Sequence, residues 1–198
     1  MYKTRNATKL IKVLEAYIGD YNRGLHVREI AKSVKLSPSA VSYMTRNLEK
    51  QRIMNCKTEG RNKKYFINFD NPAAKDMIVA AELARKTETI EKYFITKKLL
   101  NEVKFHNSMV VLFGSFAKGT ANEASDIDIL IVGKKNEALE KELDKFGTLY
   151  KKEVQAIFLQ EKEFDKKNEF VKEITNSHIT LSGTEQFVNM LWRIANER

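Results

Sequence analysis

The sequence predicts an α/β (α+β) chain built in parts: a small helical unit ending in a β-hairpin, a helical connector, and a domain with a small mixed sheet. Three observations predict it. Apolar residues recur at three and four over the first fifty residues, then switch to a basic hairpin pattern. Residues 73–105 contain neither Gly nor Pro and are dominated by Ala, Leu, Glu and Lys. The stretch GSFAKGTANEASDIDILIV, residues 114–132, then places glycines, small residues and two aspartates between apolar strands.

Composition bounds the function classes. The 198 residues are 42% apolar and 31% charged, as in a globular protein with a buried core. No apolar run approaches the roughly 18 residues of a membrane span. The first twenty residues show no compact apolar stretch with a small-residue cleavage site. One cysteine, Cys56, excludes a disulfide framework and a Cys-based zinc site. The expectation is a cytoplasmic protein with no membrane partner. The charge is uneven: residues 1–70 hold 15 Lys and Arg against 6 Asp and Glu, whereas residues 71–198 hold 20 of each. The net charge of +9 therefore lies in the first third, which suits a unit that meets a polyanion.

Ala7, Leu10, Ile11, Leu14 and Ile18 predict a first helix ending near Gly19. Val27, Ile30, Ala31 and Val34 predict a second. Ser37 as N-cap and Pro38 at the first helical position open a third. In this helix Val41, Met44 and Leu48 face one way. Ser39, Tyr43, Arg46 and Lys50 face another, with Ser42 and Asn47 beside them. Two short-linked helices with a polar, basic outer face on the second make a helix-turn-helix. Strands over 53–58 and 64–69, around Glu59-Gly60-Arg61-Asn62, add a basic wing.

Residues 25–69 resemble winged-helix regulators in order and spacing. The resemblance implies DNA as partner, with the third helix in the major groove and the wing on the backbone. Arg46 is the candidate for a base edge; Lys50, Arg61, Lys63 and Lys64 are candidates for phosphate. Winged helices also dock proteins, and that reading stays open. Such regulators are commonly dimers, which by analogy implies a homodimer.

After Asn71-Pro72 the connector reads as one long helix, or two with a break near Thr87–Thr89. Met77, Ala80, Ala81, Ala84, Ile90, Phe94 and Leu100 form its buried stripe, against the following domain or a second copy. The predicted parts are 1–70, 71–105 and 106–198.

In the last part, residues 109–113 predict a buried strand, followed at once by Gly114-Ser115. Residues 125–132 predict the next strand. Side chains two apart on a strand share a face about 7 Å apart, so Asp126 and Asp128 point together. Two such carboxylates can hold a hard divalent cation. Glycine lets a turn bring N–H groups and a hydroxyl against phosphate oxygens. Lys118 adds a positive charge nearby.

An apolar residue, Gly-Ser, ten residues, then Asp-apolar-Asp resembles the DNA polymerase beta-like nucleotidyltransferases, and the fuller string resembles their minimal branch. The resemblance implies Mg²⁺ on Asp126 and Asp128, and a nucleoside triphosphate held by Gly114 and Ser115, with Lys118 and Ser125 alongside. It further implies transfer of a nucleoside monophosphate to an acceptor hydroxyl on a protein, an RNA or a small molecule. Active members carry a third carboxylate on a later strand. Here a helix over 136–150 precedes a strand over 152–159, and the expected position is Gln155. Glu153, two residues earlier, substitutes for it or is a solvated strand-end charge. Phe116 stands where relatives often carry a basic residue. The sequence thus supports two functions: an Mg²⁺-dependent nucleotidyltransferase coupled to DNA binding, or a DNA-binding transcriptional regulator whose transferase domain is degenerate or senses nucleotide. The tail predicts helix, short strand and helix, with Trp192, Phe187, Leu191 and Ile194 as core and no role for His178. His26 and His106 suggest no metal cluster.

Overall fold

The computed structural model describes residues 2–60, 62–105, 108–164 and 168–196, with side chains from residue 8 onward. Arg61 and His106 lie outside the described residues. The chain forms two compact units, residues 1–84 with 188–198, and residues 85–187. Among the described residues, no helix is long and apolar enough to cross a membrane.

The first unit begins with α1 (Tyr2–Leu14) and a 3-10 turn, Glu15–Tyr17. A two-residue strand follows, β1 (Leu25–His26), then α2 (Val27–Val34) and α3 (Pro38–Lys50). The α2–α3 turn is made by Lys35 in the left-handed region (φ 54°) and by Ser37, whose hydroxyl accepts a hydrogen bond from the Ala40 N–H. This angle between helices buries Ile30, Val41 and Leu48 completely. The wing is β2 (Met54–Glu59) and β3 (Asn62–Ile67), with Glu59 opposite Asn62. The strands run closer to the turn than the sequence predicts, and Gly60 takes the left-handed φ of 62° there. The strands accordingly run over 54–59 and 62–67. β1 adds antiparallel to β3, giving the order β1-β3-β2; two residues are too few for an alternation pattern to reveal. Tyr17 donates to the Tyr65 carbonyl at 2.9 Å, tying the helices to the wing. Trp192 packs on Phe69 and Tyr21, at 4.5 and 6.0 Å between ring centroids.

The connector departs from expectation. It is α4 (Pro72–Lys92) and α5 (Phe94–Glu102), broken at Tyr93 and not at 87–89. Thr87–Thr89 stay helical, and the Thr89 hydroxyl donates to the Arg85 carbonyl within the helix. Tyr93 turns extended (φ −119°, ψ 104°) as the N-cap of α5, its carbonyl accepting from the Thr96 N–H at 3.0 Å and from the Thr96 hydroxyl at 2.7 Å. Phe94, expected in the buried stripe, is 68% exposed on the first turn after this break.

The second unit holds a four-stranded mixed sheet of order β6-β5-β4-β7. Its elements are β4 (Met109–Leu112), α6 (Gly114–Lys118), β5 (Ile127–Val132), α7 (Glu137–Tyr150), β6 (Val154–Leu159), α8 (Glu169–Asn176), β7 (Ile179–Ser182) and the first turn of α9 (Thr184–Asn196), whose residues from Val188 onward belong to the first unit. β4 pairs antiparallel with β5 and β7, and β6 pairs parallel with β5 after the α7 crossover. Val110, Leu112, Ile127, Ile129 and Ile131 on one sheet face pack with Leu139, Leu143 and Phe146 of α7. Val111, Leu130 and Val132 on the other face are buried too, which explains the continuous apolar run of β5. Phe187 packs on His178 and Phe164. The fully buried His178 has Nδ1 2.7 Å from the Thr175 carbonyl oxygen.

Candidate functional site

The site of the second unit is built where β4 ends and β5 begins. Leu112 lies opposite Ile129, and the Phe113 N–H donates to the Asp128 carbonyl at 3.0 Å. Gly114 then turns sharply at φ 64° into α6. A side chain here would be strained by that angle, and its Cβ would collide with Asp128 Oδ2. The Gly114 backbone and the Asp128 carboxylate are therefore in direct contact. The Gly-Ser turn expected from sequence is the first turn of this five-residue helix, closed by Gly119 at φ 74°.

β5 begins at Ile127, so Ser125 and Asp126 lie in the loop just before it. That loop is braced from within and from the turn before β6. The Asn122 N–H donates to the Ser125 hydroxyl at 2.9 Å. Lys152 Nζ donates to the Ser125 carbonyl at 3.1 Å and also to the Glu123 carbonyl. Lys152 is a positioning residue the sequence reading missed; the two lysines before β6 carried no distinguishing signal.

Asp126 and Asp128 are both half-buried. Burial first, then the charges of Asp126 and Glu153, push the Asp128 carboxyl above its usual range, and Lys118 opposes the shift. Four of the expected residues are thus within electrostatic reach of one another. Gln155 sits directly beside Asp128 in the parallel register, and its Nε2 donates to Glu153 Oε1 at 3.3 Å. Among the described residues, no three His, Cys, Asp or Glu side chains are placed to hold a metal ion by themselves. Asp126 and Glu153 both act on Asp128 through their charge, without the three forming a ligating set.

Lys118, at the end of α6, pairs with Glu173 of α8 at 3.1 Å, both largely exposed. Phe116 is buried at 3% exposure, edge-on to Tyr93 at 5.1 Å, so it serves the core.

The first unit presents the second set. Ser39, Tyr43, Arg46 and Lys50 lie on one exposed stripe of α3. Arg46 Nη2 donates to the Ser42 hydroxyl at 2.9 Å. Lys63 and Lys64 lie on the wing, 3.7 Å from Glu49 and Glu59 respectively. His26 adds a contact that was not expected: its Nδ1 is 3.1 Å from the Lys63 carbonyl oxygen, linking the start of α2 to the wing.

Residues 96–189 match the nucleotidyltransferase domain family, and residues 7–53 match the winged helix-turn-helix DNA-binding family. The chain joins a winged helix-turn-helix to a nucleotidyltransferase domain. A search of curated proteins gives no match. One similar solved structure is a crystal structure of a toxin–antitoxin with AMP-PNP. The likeness has 21% identity and a TM-score of 0.37, and covers 52% of this chain and 82% of that one.

The nucleotidyltransferase domain carries an electrostatic cost that can be measured. A carboxyl whose pKa is raised by folding stabilises the fold when protonated and destabilises it once pH rises through the raised value. Asp128→Asn is therefore expected to raise the Tm of the nucleotide-free protein at pH 7. The gain should shrink as pH falls through the raised value towards the ordinary carboxylate range. Thermal unfolding at several pH values checks this; an unchanged or lower Tm at pH 7 contradicts it.

Proposed function

We propose that the protein is an Mg²⁺-dependent nucleotidyltransferase that transfers a nucleoside monophosphate from a nucleoside triphosphate to an acceptor hydroxyl. Its winged helix brings that activity to DNA. The observation that carries the reading is the contact between Gly114 and Asp128. It sets a side-chain-free backbone turn against one of two adjacent carboxylates, at a cost in charge repulsion that a cation would relieve.

The donor set suits a hard divalent ion, because Asp126 and Asp128 offer carboxylate oxygens at positions a triphosphate can share. Once bound, Mg²⁺ would neutralise charge on the attacked phosphate and the leaving pyrophosphate. The remaining roles belong to the chain. The Gly114-Ser115 backbone lies against the phosphate oxygens, and the Ser115 hydroxyl adds a donor. Lys118 turns from Glu173 to the triphosphate, since an exposed ion pair contributes at most about 1 kcal/mol. Ser125, through Asn122, and Lys152 hold the loop so that Asp126 stays beside Asp128. Glu153 accepts the acceptor's proton. The acceptor oxygen then bonds to the α-phosphorus, and the bond to the bridging oxygen of pyrophosphate breaks.

Gln155 favours a second reading. Neutral and in register with Asp128, it supplies no base, which suits a domain that binds nucleotide as a signal for a DNA-binding regulator. Calorimetric titration of the four ribonucleoside triphosphates, with and without Mg²⁺, tests the shared site. Binding should require Mg²⁺ and be lost in Asp126→Ala/Asp128→Ala. Pyrophosphate release from the bound triphosphate separates the readings: release supports transfer, and binding without release supports sensing. No triphosphate binding to folded protein overturns transfer and sensing alike, and points to a DNA-binding regulator whose transferase domain is degenerate.

The DNA contacts are proposed for Ser39, Ser42, Tyr43, Arg46 and Lys50 of α3, and for Arg61, Lys63 and Lys64 of the wing. Affinity for duplex DNA should fall steeply with salt. Lys50→Ala should reduce the log–log slope by about 0.9, the contribution of one phosphate contact. A slope near zero in the wild type would exclude this mode of binding.

A further inference from the structure

One aromatic pair beside the carboxylates has no part in the function proposed above. Phe113 is opposite Asp128 across the β4–β5 pair, and directly opposed side chains in antiparallel strands project from the same face, about 5 Å apart at Cβ. Phe113 thus lies beside the carboxylate on the site face of the sheet. Phe170 of α8 meets it edge-on, with ring centroids 6.0 Å apart at 88°. One turn along α8, Glu173 pairs with Lys118. The two contacts lay α8 along α6, with Phe170 at the Gly114 end and Glu173 at the Lys118 end.

Phe170 is not there to anchor α8. Val171, Ile174 and Thr175 do that, at 0–1% exposure, while Phe170 remains 37% exposed. An aromatic ring held next to a triphosphate site and left open to solvent offers a π-face to a flat ligand.

We infer that Phe170, backed by Phe113, is the stacking wall for the nucleotide base. The inference rests on the nucleotide site proposed above and adds the part of the ligand that site leaves unassigned. A phenyl ring reads no hydrogen-bonding edge. The subsite therefore accepts all four bases and ranks them by stacking area, with ATP and GTP above CTP and UTP.

The test compares ATP, CTP and inorganic tripolyphosphate, each with Mg²⁺, on the full-length wild type and on Phe170→Ala and Phe170→Trp. Wild type should bind ATP more tightly than CTP, and CTP more tightly than tripolyphosphate. Phe170→Ala should weaken ATP roughly tenfold, leave tripolyphosphate unchanged and erase most of the preference for the purine. Phe170→Trp should restore ATP affinity. Wild-type ATP affinity in Phe170→Ala, or equal wild-type affinities for ATP and tripolyphosphate, overturns the stacking wall while the phosphate site stands. Loss of tripolyphosphate along with ATP in Phe170→Ala also overturns it, because the ring would then serve the fold of the site. A wild type that binds neither ATP nor tripolyphosphate overturns the nucleotide site and the wall together.

Discussion

Asp126 and Asp128, both half-buried, repel each other where β5 begins. The rest of the second unit arranges itself around that conflict. Gly114 gives up a side chain and takes a left-handed backbone angle so that Asp128 fits against it. Lys152 fixes the loop that would otherwise let Asp126 swing away into water. Lys118 supplies a positive charge that moderates Asp128. A fold selected only for stability would place Asn or Ser at 128. Keeping the acid against Gly114, with Lys118 opposing its charge, fits the cation site proposed here.

The two units solve different electrostatic problems. In the first, net charge +9 accumulates over residues 1–70, and the basic side chains of α3 and the wing stay at the surface, where water and salt moderate their repulsion. Wing pairs such as Lys64 with Glu59 are exposed and exchange readily for other anions. In the second unit net charge is balanced, but acids are concentrated at one place. A dispersed basic surface suits a long polyanion, and a tight acidic pair suits a small hard cation.

Much of this was legible in the sequence, because it depends on local rules. Ser37-Pro38 announced α3, and the spacing of Val41, Met44 and Leu48 gave its buried face. The string from Gly114 to Asp128 marked the turn and strand that meet at Asp128, since a turn that needs glycine leaves a fixed pattern. What stayed hidden depends on long-range pairing. The helix break at Tyr93 goes with the bonds its carbonyl accepts from Thr96, while the threonines a few residues earlier offered an equally plausible break. Trp192, grouped in sequence with Phe187, packs instead on Tyr21 and Phe69, over a hundred residues away along the chain. The neighbourhood of Phe113, Asp128 and Phe170 exists only once β4 pairs with β5 and α8 docks beside α6, so no spacing along the chain could announce it.

The central claim is that Asp126 and Asp128 jointly hold a divalent ion beneath a triphosphate lying on Gly114-Ser115. The most direct test is a crystal of the full-length protein grown with Mn²⁺ and a non-hydrolysable nucleoside triphosphate, with anomalous scattering recorded at the manganese edge. The account predicts an anomalous peak between the two carboxylates, with phosphate density against the Gly114-Ser115 backbone. Triphosphate bound elsewhere, or manganese held without both aspartates, would contradict it.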